Sequence, residues 1–172
     1  MGLRPVGASG PSIIARLALA ASVAGAAALS AGAAVAACSE GRVELRGDWG
    51  TARFRVDIAD TPETRARGLM FVEEMPQSSG MLFVFPEERV RTFWMRNTYI
   101  PLDIIYFDAS GAWVSVQADA VPFDETSLPS DAPAQYVLEV NAGLAEAFGM
   151  GPGTELRHPA LNQEIAAWPC AE

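Results

Sequence analysis

The chain has 172 residues, with 12 arginines, no lysine and 21 acidic residues, a net charge of −9. Removing the first 36 residues takes away Arg4 and Arg16 and no acid, leaving 10 bases against 21 acids and a net charge of −11. Such a surface repels phosphate backbones and anionic lipid heads, which argues against nucleic acid as a partner, and the remaining residues suffice for one domain with its own core.

The N-terminus reads as an export signal: Arg4 and Arg16, an apolar run over Leu17 to Leu29, then small residues at Ala34-Val35-Ala36 where a signal peptidase would cut. Residues 1–36 are therefore expected to be removed, leaving a periplasmic or secreted domain over residues 37–172 without a membrane span. Two other fates stay open, a retained anchor helix and a lipoprotein-type cut at Val35-Ala36-Ala37-Cys38 that would lipidate Cys38. The second would strand Cys170, the one other cysteine. In an oxidising compartment an even count favours pairing, so Cys38 and Cys170 are expected to clasp the two ends of the mature chain.

Val43–Arg46 and Thr51–Ala59 alternate around Asp48-Trp49-Gly50, predicting a hairpin with Phe54, Val56 and Ile58 on one face. Asp60 or Thr61 then caps a short helix with Pro62 in its first turn, ended by Gly68, after which Leu69-Met70-Phe71 begins an apolar return. Met81–Phe85 is a continuous apolar run bounded by Gly80 and Pro86, as in a strand buried on both faces, and Pro86–Arg89 reads as a turn. Next come two apolar stretches, Phe93–Thr98 and Leu102–Phe107, joined by a hinge at Pro101, where the ladder should break. Strand spacing in the first would put Trp94, Arg96 and Thr98 on one face. In the second it sets Asp103 in line with Ile105 and Phe107. Asp108–Gly111 turns into a strand at Ala112–Val116, and Asp119–Pro133 is a long acidic loop. Gln135–Asn141 is a strand, Ala142–Phe148 a short helix, and Thr154–Arg157 a final strand. These elements predict an α+β domain that is mostly β, an antiparallel sheet curled into a small barrel with two short helices.

Four segments in order, Arg65–Phe71, Gly80–Phe85, Phe93–Asp103 and Tyr136–Gly143, resemble the bacterial and archaeal family called domain of unknown function 192, over residues about 44 to 158. The resemblance implies a β-rich, often exported fold, and it brings no established activity, cofactor or catalytic residue.

Residue inventory removes several chemistries. His158 is the single histidine, so neither a His-rich zinc site nor a convincing Ser-His-Asp triad can be assembled. No Cys-x-x-Cys occurs, and Gly149-Met150-Gly151-Pro152-Gly153 lacks the basic residue of a phosphate loop. No cofactor is expected. A polar cluster of Arg96, Asn97, Asp103, Glu139 and Asn141 is left, in which Asp103 and Glu139 stand in apolar strands and need a neutralising partner. Either Arg96 pairs with one of them to hold the barrel, or the two carboxyls work together as a hydrolase pair of the glycosidase kind. Met70, Met81 and Met95 near Trp94 offer thioethers to a soft cation such as Cu(I), although methionine in apolar strands is usually packing. Trp94, with Trp49, Trp113 and Tyr99, offers aromatic surface for a small molecule, sugar or envelope component. A binding module built on Trp94, Arg96, Asn97, Asp103, Glu139 and Asn141 is the leading expectation.

Overall fold

The computed structural model describes residues 38–170, so the expected signal segment, residues 1–36, lies outside them. Strict alternation produces the first hairpin. In β1 (Arg42–Gly47) and β2 (Gly50–Ala59), Ala52, Phe54 and Val56 are buried while Arg53, Arg55 and Asp57 face out. Helix α1 (Pro62–Arg67) starts with a reciprocal cap: the Thr64 N–H donates to the Thr61 hydroxyl at 3.2 Å and the Thr61 N–H to the Thr64 hydroxyl at 3.0 Å. This helix carries the chain to β3 (Ser79–Arg89), which runs parallel to β2 in a sheet whose other pairs are antiparallel. Then come β4 (Thr92–Phe93), β5 (Leu102–Phe107), β6 (Trp113–Ala120), β7 (Leu128–Pro129), β8 (Ala134–Asn141), α2 (Leu144–Phe148) and β9 (Glu155–Arg157).

Seven strands form one sheet in the order β6-β5-β8-β3-β2-β1-β9, and β4 and β7 form a separate ribbon. The sheet curls until its edges meet at one end. There the Trp113 N–H donates to the Thr154 carbonyl at 2.9 Å and the Leu156 N–H to the Gly111 carbonyl at 2.8 Å. A Cβ at Gly111 would lie 2.5 Å from the Leu161 side chain and 2.8 Å from the Leu156 carbonyl oxygen, so the closure needs glycine. The α+β, mostly β expectation therefore holds, with the barrel realised as a half-barrel.

Both faces of the sheet are apolar. Ile105, Phe107, Tyr136, Leu138, Val140 and Phe54 pack on one side; Leu102, Ile104, Tyr106, Val137, Phe83 and Met95 pack on the other. Every residue of β5 is buried, as its unbroken apolar run requires.

Two segments depart from expectation. β3 continues through Pro86 to Arg89, because its ladder with β8 is interrupted between Val84 and Arg89, where a residue without an N–H costs no bond. The first half of the central stretch is not a strand beyond Phe93. Asn97 adopts φ 55°, and the Met95 N–H goes to the Asp124 carbonyl at 2.8 Å, so this segment is tied to the acidic loop instead of to a neighbouring strand. Cys38 and Cys170 are joined as a disulfide across 132 residues. That bond occupies the sulfur a lipid anchor at Cys38 would need. Among the described residues no helix is long and apolar enough to cross a membrane.

Candidate functional site

The register of β5 against β8 decides what the two buried acids can do. Ile104 pairs with Glu139 and Asp103 with Val140, so Glu139 shares a face with Ile104 while Asp103 faces the other way. Their side chains lie on opposite sides of the sheet. The hydrolase pair is thereby ruled out, since two carboxyls on opposite faces cannot flank one bond.

Asp103 is fully buried and acts on the backbone. One oxygen accepts from the Asp119 N–H at 3.0 Å and the other from the Ala145 N–H at 2.8 Å. Ala145 lies in the first turn of α2, whose N-cap is Gly143 and supplies no side chain. Asp103 thus caps α2 from a neighbouring strand, and it also holds Asp119 in its left-handed conformation at φ 52°. It is a structural anchor.

Glu139 has the opposite environment. It is 5 % exposed, and burial alone pushes its carboxyl up to about 8, with no ion pair or hydrogen bond from a described residue lowering it. It reaches a cavity of ≈340 Å³ lined also by Arg65, Arg67, Gly68, Phe83, Phe93 and Trp94. Three parts of the chain meet there. β8 supplies the acid, β3 and β4 the aromatic wall, and α1 with its Gly68 stop the rim. Phe83 and Phe93 meet edge to face with centroids 5.0 Å apart, and Phe93 meets Tyr106 at 5.9 Å. The Tyr106 hydroxyl donates to the Leu128 carbonyl at 2.7 Å; burial, and then the neighbouring Glu139, raise its pKa. Gly68 takes φ 50° and ψ −138°, a combination nearly confined to glycine, and a Cβ there would sit 3.2 Å from the Phe83 ring and 4.0 Å from Glu139 Oε2. The missing side chain leaves room above the carboxyl.

The rim is basic. Arg65 donates to the Val84 carbonyl at 2.9 Å and lies 5.2 Å from the Phe85 ring centre, whereas Arg91 stacks on the same ring at 3.9 Å. The Arg91 pKa is lowered by burial first and then by its cationic neighbours Arg89 and Arg65. Neither Arg65 nor Arg67 forms an ion pair among the described residues. A second cavity of ≈170 Å³, lined by Thr92, Phe93, Trp94, Glu125 and Ser127, adjoins the first at Phe93 and Trp94.

The other expected residues scatter. Trp94 is 44 % exposed and stands between the two cavities. Arg96 pairs with neither acid; its guanidinium lies 5.4 Å from the Trp94 ring centre, on the surface. Asn97 shapes the turn, and Asn141 donates to the Met75 carbonyl at 3.0 Å and the Pro76 carbonyl at 3.1 Å, away from the cavity. Met95 is wholly buried in the core and Met81 packs against the same cluster, so packing accounts for those two, and Met70 is the one methionine on the wall of this cavity. Trp49 and Trp113 pack on the opposite face of the sheet, and Tyr99 stands in an exposed row with Phe71 and Phe123. Arg65, Arg67 and Gly68 were missed as site residues. The signal was present in the Arg65–Phe71 segment, but only the crossover of α1 places it over β8.

The chain is 43 % identical to a protein of unknown function from Novosphingobium aromaticivorans, over 67 % of this chain and 82 % of that one, with a TM-score of 0.65. It is 37 % identical to a protein from Sinorhizobium meliloti described as a candidate transcription regulator, over 73 % and 98 % of the two chains, with a TM-score of 0.68. No curated protein matches. The family model described as an uncharacterised conserved group spans residues 43–158, which covers the whole half-barrel, and the chain therefore belongs to the domain of unknown function 192 family.

Proposed function

We propose that the protein is an exported binding module whose site is the Glu139 cavity, taking a small molecule, a sugar or a component of the cell envelope. The supporting observation is a mostly buried glutamate whose carboxyl opens onto an aromatic cavity and takes no hydrogen bond or ion pair from any described residue. Such a carboxyl, reached through the cavity and unused by the protein, is a polar group on which a ligand can be oriented. Export is supported by the signal-like residues 1–36 and by the Cys38–Cys170 bond, which is at home in an oxidising compartment. Transcription regulation, the role named for the Sinorhizobium protein, finds no support in direct binding of nucleic acid, which the net charge of −11 left after residues 1–36 disfavours.

The test is a fragment screen followed by NMR on the disulfide-bonded domain. Binding fragments should shift the Gly68 amide and Trp94 indole signals, and Gly68→Ala, whose Cβ would stand 3.2 Å from the Phe83 ring in a conformation that favours glycine, should weaken those shifts, with a thermal melt checking that the strained variant is folded. Fragments that bind only elsewhere, or equally well to Gly68→Ala, would remove the proposal.

A further inference from the structure

Charge in the Glu139 cavity is segregated by sign. The floor holds one acid; the rim holds Arg65 and Arg67 with no acid paired to either among the described residues. Two positive charges gathered at one opening of so acidic a chain focus a field that draws in an anionic group. Arg65 spends donors on the Asp60 and Val84 carbonyls and keeps others, since a guanidinium carries five N–H groups. Between rim and floor the wall is aromatic, with Phe83, Phe93 and Trp94. An acid among aromatic rings suits an ammonium group, whose charge is attracted to ring faces and satisfied by the carboxylate.

We propose that this cavity takes a small zwitterion, its ammonium end against Glu139 and the aromatic wall and its anionic end, a phosphate or carboxylate, on Arg65 and Arg67. The inference rests on the cavity being a ligand site. It goes beyond that by naming the ligand's two charges and their order from floor to rim. A neutral sugar would leave the rim arginines unused, a simple cation would be repelled by them, and a simple anion would leave the Glu139 carboxyl with no charge to pair with.

Proton balance separates these cases. The empty cavity holds Glu139 protonated at neutral pH, and an ammonium group pairs with the carboxylate, so binding a zwitterion expels a proton to solvent. Arg65 and Arg67 of α1 line the same cavity, and the titratable neighbour of Glu139 on β5 is Tyr106, whose hydroxyl burial pushes well up, so the proton that answers to pH there is the one on Glu139. Affinity should therefore rise about tenfold per pH unit between ~6 and ~8 and then level off.

Calorimetry on the disulfide-bonded domain, in two buffers of different ionisation enthalpy, reads both quantities. The probes are phosphocholine, phosphoethanolamine, glycine betaine, choline, inorganic phosphate and glucose. At least one zwitterion should bind with release of nearly one proton at pH 7, at least tenfold tighter than choline or phosphate. Glu139→Gln should lose that proton release and most of the affinity for zwitterions, and Arg67→Gln should weaken the zwitterion while strengthening choline, which no longer meets that like charge. Cosedimentation with phosphatidylcholine vesicles, compared with soluble phosphocholine, distinguishes a lipid head group from a free ligand. Binding of glucose at Gly68 and Trp94 with no zwitterion binding would overturn the charge assignment and leave the cavity a ligand site. Silence from all six probes, together with a failed fragment screen, would overturn both. Because glutamine removes a buried ionisable group, loss of folding is not the expected outcome for Glu139→Gln, and its thermal melt checks this.

Discussion

Replacing Glu139 with glutamine should stabilise the empty protein at neutral pH and erase part of its alkaline sensitivity. Burial pushes the carboxyl up to about 8 in the folded state from its ordinary value of 4.5. A raised folded value means that the stability contributed by the protonated acid is fully present below 4.5 and is lost as pH rises through about 8. At pH 7 the folded protein must hold a proton that the unfolded chain releases, about 2.5 units above the unfolded value, which at ~1.36 kcal/mol per unit costs about 3 kcal/mol. Glutamine keeps the shape and removes this cost, less the desolvation of its amide, so about 3 kcal/mol is the ceiling of the gain. Urea unfolding followed by tryptophan fluorescence at several pH values, with the disulfide intact, measures it. Between pH ~5 and ~9 the wild type should lose about 4 kcal/mol that Glu139→Gln retains. Parallel pH profiles for the two proteins would refute the idea that this acid is held protonated by burial.

Asp103→Asn should behave oppositely, because it replaces an acceptor of two buried backbone bonds with a group that presents an amide to one of them; a loss of about 3 kcal/mol is expected in the same unfolding assay, and a neutral effect would deny Asp103 its capping role. His158 is 2 % exposed, accepts the Ala160 N–H at Nδ1 (3.0 Å) and sits 2.8 Å from the Glu40 carbonyl at Nε2, which the neutral ring satisfies as donor. Its pKa is lowered from 6.5, chiefly by burial, so its contribution is fully present above 6.5 and is lost as pH falls below it; acid unfolding of His158→Gln should lack this component. Replacing both Cys38 and Cys170 with serine opens a loop of 132 residues and should cost about 4 to 5 kcal/mol, read as a lower urea midpoint, while an unchanged midpoint would make the clasp irrelevant to stability.

Local pattern carried much of the architecture. Alternation marked β1 and β2, the Thr61-Pro62 start and Gly68 stop marked α1, and the apolar runs at Met81–Phe85 and Leu102–Phe107 marked the two strands buried on both faces. Even the facing of β5 was legible: Leu102, Ile104 and Tyr106 do share one core, and Ile105 and Phe107 the other. Composition misled at Phe93–Thr98, where β-prone residues follow a loop because their backbone groups find partners in the Asp119–Pro133 segment.

The site itself was only half legible. Two acids set in apolar strands, Asp103 and Glu139, stand out in the one-dimensional chain as groups in need of partners, and both are buried. Alternation assigns each strand its own two faces, but it says nothing about which face of β5 adjoins which face of β8. That choice lies in the pairing of Ile104 with Glu139, and a slip of a single residue would have brought the two carboxyls together. Tertiary register therefore turned one acid into a helix cap and the other into the floor of a cavity, and the crossover of α1 above β8 supplied the arginine rim.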